Sequence, residues 1–259
     1  MNQRLIIRIS QHSLSFSTPQ ESKVVFTPYA VKNSISMAAN MREALRTLPL
    51  LDNVYDRATL LVDTPVLTIP TNLFQEDQQE MLYHHACTQQ KPEVVMHYVL
   101  PDLNATLVFA IQKDLYQVIR DHFEHLRTIP ANVPIWSHAY QKNFTGKAQK
   151  LFGYFHDQRL EVFAFGQNRF KFCNSFAVTQ ADDALYYLLS VWKQLGLEAR
   201  EDELHLAGDM PERDTLIQKA RTFIKRVLPS NPSGEFNRAQ VTQITDMPYD
   251  LMLYYLKGL

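Results

Sequence analysis

Glycine is scarce in this chain: there are 7 in 259 residues and none before Gly146, against a usual share of about 7%. Loops that grip phosphate depend on glycine, because the missing Cβ lets backbone N–H groups close on the anion and permits positive φ. A P-loop and a Rossmann fingerprint are therefore both excluded. Cysteine is equally sparse. Cys87 and Cys173 lie far apart with no CxxC spacing, too few for a disulfide framework or a thiolate cage. No stretch approaches the ~20 apolar residues of a membrane span, and the opening MNQRLIIRIS interrupts its apolar run at Arg8 without a cleavage region. An excess of one charge is missing too. With 26 Lys plus Arg against 27 Asp plus Glu, the net charge is -1, so no whole-molecule field draws the chain to nucleic acid or an anionic membrane. These absences predict a cytoplasmic chain with no nucleic-acid partner and no direct membrane insertion.

What is present is ample apolar material, 46% hydrophobic, arranged in a repeating order. Arg4–Ile9 and Ser13–Ser17 read as strands around the turn Ser10-Gln11-His12, and Lys23–Val31 supplies a third. A helix is expected from Ser34, capped by Ser34 or Ser36, with Met37, Met41, Ala44, Leu45 and Leu48 at helical spacing before Pro49. ATLLVD, residues 58–63, then has the look of a buried strand. The same order returns: Gly153–His156, Leu160–Phe165 and Arg169–Val178 as strands, Asp182–Leu195 as a helix, and ELHLAG at 203–208 as a strand. Sliding the chain on itself puts Ile9 on Phe155, Leu14 on Leu160, Phe16 on Val162 and Asp63 on Asp209. A shift larger by one residue puts Tyr29-Ala30-Val31 on Phe176-Ala177-Val178. An internal duplication is expected.

Three antiparallel strands followed by helix and strand, given twice, resemble a paired ribonuclease H-like half-domain, the actin-like ATPase fold. LVFAIQKDLYQVIRDHFEHLRTIPANVPIW, residues 107–136, resembles the strand, helix, strand segment of bacterial members such as PilM, GspL and FtsA. The chain as a whole is similar to an uncharacterised Bacteroidetes family with that fold, including LAGDM at 206–210 and the aromatic tail MPYDLMLYYLKGL. The resemblance implies an α/β chain of two lobes, each a mixed sheet flanked by helices. They are expected at 1–147 and 148–259, with the C-terminal helix bracing the first lobe.

It also implies where ATPase machinery belongs. Related ATPases carry Asp-x-Gly at the first strand turn of each lobe, the Gly freeing N–H groups for phosphate and the Asp organising Mg²⁺ or water. Here those turns read Arg8-Ile9-Ser10 and Tyr154-Phe155-His156, and of the glycine-rich adenosine motif only Gly208 stands, followed by Asp209. Arg8, Ser10, His156, Gly208 and Asp209 are thus the candidates for any ligand contact in an interlobe cleft. Gly208 reads first as a turn glycine before a helix capped near Asp209, and His156-Asp157-Gln158-Arg159 as a polar hairpin turn in which His156 and Arg159 are able to meet an anion.

Other chemistries fare worse. A ribonuclease H-like nuclease needs carboxylates on strand one, where this chain has Arg8 and Tyr154. HFEH at 122–125 puts two histidines at i, i+3 of an expected helix, a half-site for zinc, although His122 falls with Val118, Ile119 and Leu126 and reads first as a packed or partly exposed histidine. No GxSxG elbow marks a nucleophile. Leu216, Ile217, Ala220, Phe223, Ile224 and Val227 fit one amphipathic helix, but TFIKRVL, 222–228, fits equally a fifth strand after a shorter helix, which the resemblance favours, and SNPSGEFN, 230–237, reads as a turn-rich loop.

The sequence thus predicts a pseudo-ATPase, a catalytically silent scaffold or adaptor with no cofactor, no metal and a protein partner or self-association. The alternative is a nucleotide-binding protein that grips its ligand through side chains in place of glycine loops.

Overall fold

The computed structural model describes residues 4–20, 23–87 and 92–258. Met1–Gln3 of the opening run and Leu259 of the aromatic tail lie outside them. The chain folds as two compact units. One runs to Val133 and takes in Ile244–Met247, and the other comprises Pro134–Gln243 and Pro248 onward.

In the first unit the alternation of apolar residues makes β1 (Arg4–Ile9), β2 (Leu14–Gln20) and β3 (Lys23–Tyr29), followed by α1 (Met37–Thr47) and β4 (Arg57–Val62). Helix α1 begins at Met37, so of the two candidate caps Ser36 is the one that serves: its Oγ accepts the N–H of Ala39 and fixes the first turn. An excursion follows: β5 (Val66–Pro70), α2 (Gln79–Ala86), β6 (Glu93–Leu100) and β7 (Ala105–Gln112) form an antiparallel sheet in the order β5-β7-β6. Helix α3 (Lys113–His122) and β8 (Leu126–Pro130) return to the main sheet, whose order is β3-β2-β1-β4-β8. Period two decides the faces. Leu5, Ile7, Ile9, Leu14, Phe16, Leu60 and Val62 point into one core with α1 and α3.

The second unit repeats the plan. After α4 (Asn132–Asn143), which enters it, come β9 (Lys150–His156), β10 (Arg159–Phe165), β11 (Phe170–Ala177), α5 (Ala181–Gln194), β12 (Glu203–Gly208), α6 (Arg213–Phe223) and β13 (Arg226–Pro229). The sheet order is β11-β10-β9-β12-β13, the first unit's order again. Registers agree as well: Ile9 pairs with Leu14 and Val62, Phe155 with Leu160 and Gly208. Leu14 pairs with Tyr29 and Leu160 with Phe176, so the one-residue change of shift seen in the sequence falls in the β10–β11 hairpin. A register shift between Ala164 and Phe165 absorbs it there.

The fifth strand is shorter than TFIKRVL, since Thr222 and Phe223 complete α6 and pairing with β12 begins only at Arg226. Within SNPSGEFN the residues Pro232–Glu235 form a one-turn helix, α7, whose Asn231 side chain accepts the Gly234 N–H. The C-terminal run is α8 (Tyr249–Lys257). Among the described residues, no helix is long and apolar enough to cross a membrane.

Candidate functional site

Every second residue of the core strands points to the other face of each sheet, which carries buried polar residues, Arg8 in the first unit and His156 and Glu161 in the second, beside apolar ones such as Ile6 and Phe163. In the first unit this places Arg8 on β1 opposite Asp63 just beyond β4. The guanidinium lies 3.3 Å from Asp63 Oδ2, and both side chains are buried. Arg8 also donates to Ser13 Oγ at 2.9 Å. Ser10 closes the adjoining turn: its hydroxyl accepts the N–H groups of Ser13 at 3.0 Å and His12 at 3.3 Å, and its own N–H donates to the Ser13 carbonyl at 2.9 Å. Arg8 and Ser10 are therefore brought together, with the turn's inward N–H groups already satisfied.

The second turn is built differently. Asp157 and Gln158 both have positive φ, 44° and 58°, the signature of a two-residue type I′ turn whose twist suits a hairpin. His156, paired across that turn with Arg159, is buried, stacks on Tyr154 at 4.6 Å and lies 3.1 Å from Glu161 Oε1. The Tyr154 hydroxyl donates to Asp250 Oδ2 at 3.1 Å, and Asp250, in the first turn of α8, is wholly enclosed. His156 is thus committed to an internal row, Glu161, His156, Tyr154 and Asp250, while Arg159 is only half-buried.

Gly208 and Asp209 adjoin that row's strand. Gly208 has φ +89°, and a Cβ on it would meet the Phe155 carbonyl oxygen at 2.0 Å. The glycine is required by the close approach of β12 to β9, whatever else it does. Asp209 donates its N–H to that same carbonyl at 2.9 Å and leaves its side chain exposed.

The zinc half-site dissolves. Helix α3 ends at His122, Phe123 caps it with an extended backbone and buries its ring, and His122 and His125 are both exposed. The i, i+3 spacing has no helix to act on. Among the described residues, no group of three or more His, Cys, Asp and Glu is placed to hold a metal.

One cluster escaped the sequence reading: His138 and Lys142 on α4 meet Glu235 of α7. Lys142 Nζ lies 2.6 Å from Glu235 Oε2, and His138 Nε2 lies 3.6 Å from the same oxygen. His138 and the Lys142 ammonium hold the Glu235 carboxyl well below the usual carboxylate range. Burial holds the His138 imidazole below its ordinary value, against an upward pull from Glu235. The spacing of His138 and Lys142, four apart on a helix, is the one visible signal, and Glu235 lies too far along the chain for it to be read.

Known proteins fit this description. The sequence model of a family described as "Protein of unknown function (DUF3822)" matches residues 1–227. A Bacteroides thetaiotaomicron protein with actin-like ATPase fold and unknown function has a similar structure, with TM-score 0.81 and 27% identity over 94% of this chain and 96% of that one. A chain of the PilM-PilN type IV pilus biogenesis complex is similar in fold at TM-score 0.57 and 10% identity, over 98% of each chain. No curated protein matches.

Proposed function

The chain belongs to the family described as "Protein of unknown function (DUF3822)" and has the actin-like ATPase fold, and from that premise we propose that it is a pseudo-ATPase: a catalytically silent scaffold or adaptor that works by binding protein. The observation that carries this reading is the turn at Ser10. Phosphate binding at such a turn needs unclaimed backbone N–H groups. Here the Ser10 hydroxyl takes two of them, and the nearby guanidinium of Arg8 is neutralised by Asp63. The second turn spans only two residues between paired strands, and its histidine faces Glu161. A protein partner suits the fold, since PilM is known in a complex with PilN. The proposed setting is the cytoplasm, with the partner or a second copy supplying any assembly.

Isothermal titration of ATP with Mg²⁺ into the full chain tests it. The expected result is no saturable heat and no hydrolysis above background, whereas micromolar ATP binding that is lost on substitution beside Gly208 would reject the adaptor reading in favour of the nucleotide-binding one.

A further inference from the structure

The second unit carries a pocket of about 320 Å³, open to solvent on one side, between its sheet, α4 and the segment running from β13 into α8. Its walls are mainly apolar: Ile135, Ala139, Phe152, Phe163, Leu206 and Leu228. Several walls are strand and helix residues with little room to collapse, Ile135 and Phe163 being nearly fully buried.

The polar groups on the lining are almost all spoken for. Lys142 and Glu235 pair with each other. Glu235 Oε1 further accepts the Asn231 N–H at 3.2 Å. His205 Nε2 lies 2.8 Å from Glu203 Oε2, the Tyr154 hydroxyl is held by Asp250, and Tyr249 meets Ser230 at 3.2 Å. His138 is the least satisfied, since its Nε2 lies 3.6 Å from Glu235 Oε2, beyond hydrogen-bond reach. It is 9% exposed, and neither ring nitrogen has a hydrogen-bond partner. An enclosed imidazole left so costs stability unless something hydrogen-bonds to it.

We propose that this cavity is a binding site for a small, uncharged, largely apolar molecule carrying one hydrogen-bonding group that meets His138. The size suits a compact ligand, and an apolar pocket with few convergent polar groups is the usual form of such sites. Charge is disfavoured because Lys142 and Glu235 cancel, so an added ion would be desolvated with no counter-charge of its own. Its ligand needs no phosphate, so phenol binding measured in the absence of ATP tests this site separately from the reading above.

Phenol, toluene, benzoate and benzylammonium, titrated into the full chain with ¹³C-labelled histidine and aromatic rings, decide it by NMR. Phenol is expected to give saturable shifts at His138 and Phe163. Ala139→Trp, which fills the cavity, should abolish them, and Leu228→Trp, at a half-exposed wall position, should do so where the first variant fails to fold. His138→Phe should weaken phenol roughly tenfold while sparing toluene, the loss of one hydrogen bond. No saturable shift with phenol or toluene, or shifts that survive both filled-cavity variants, would overturn the site. Benzoate or benzylammonium binding as tightly as phenol would overturn the uncharged ligand class.

Discussion

The backbone N–H of Asp63 donates to the carbonyl of Ile9 at 2.8 Å, and in the second unit Asp209 makes the same bond to Phe155 at 2.9 Å. Each bond extends a parallel strand pair by one residue at the end where the first hairpin turns. The frames are equivalent while the side chains upon them have diverged. Asp63 turns inward to Arg8, whereas Asp209 faces solvent.

Removing one member of the buried Arg8 and Asp63 pair should cost far more than removing both. Asp63→Asn leaves a buried guanidinium without its counter-ion, and a loss of roughly 3 kcal/mol in unfolding free energy is expected. Arg8→Met with Asp63→Leu should recover most of it, because an apolar pair of similar volume carries no desolvation cost. Urea denaturation measures both. A loss under about 1 kcal/mol for Asp63→Asn would mean that water reaches the guanidinium.

Gly208→Ala should be the most damaging glycine substitution in the chain. Gly146 and Gly208 both have positive φ, but a Cβ at Gly146 meets nothing within 4 Å, while at Gly208 it strikes the Phe155 carbonyl at 2.0 Å. Gly146→Ala is expected to cost about 1–2 kcal/mol from backbone strain alone. Gly208→Ala must also push β12 off β9, so thermal unfolding should show at least twice that loss. Equal losses would show that the strands separate easily.

The repeated sheet was legible because alternation fixes which residues face the core, and matching faces in Leu5–Ile9 and Leu151–Phe155 expose the duplication without any tertiary information. The excursion β5-β7-β6 was only partly visible. Strand β6 is half-buried along most of its length, so its residues lack the contrast between faces that marks a strand. The helix expected to carry HFEH was read too long for a different reason: it ends at His122 because Phe123 turns its ring into the core, a tertiary event. Of the candidate site, Gly208 was identifiable as a turn glycine. The partners of Arg8, His156 and Tyr154 were not, since Asp250 and Tyr154 meet across much of the second unit's sequence.

Stability should fall as pH drops below about 6.5. Burial lowers the folded-state pKa of His138 and of His205, in each case against a neighbouring glutamate. The unfolded chain then binds protons that the folded chain refuses, so this contribution is complete above the ordinary histidine range and is lost as pH falls through it. Glu235, depressed in its turn, adds a further loss only in the carboxylate range. Calorimetry at pH 7.5 and 5.5 should show a lower Tm at the acid value, and a smaller drop in His138→Gln with His205→Gln. An identical drop in that double variant would assign the effect to other groups.

The C-terminal helix decides between internal support and partner binding. Leu251, Leu253 and Tyr254 of α8 are completely buried, while Tyr255 and Leu256 are half-buried. Leu253→Asp combines a cavity with an unpaired buried charge, so a loss of about 3–5 kcal/mol is expected in the isolated chain. Leu256→Asp, whose side chain keeps access to water, should cost roughly 1 kcal/mol. If the half-buried residues serve the proposed protein partner, Leu256→Asp is the variant that should weaken association while leaving the melting curve nearly in place, because an apolar residue at an interface loses its burial only in the complex. Denaturant unfolding and analytical ultracentrifugation on the two variants separate the roles. A melting temperature unchanged by Leu253→Asp would show that the enclosed side of α8 contributes nothing to the monomer's stability.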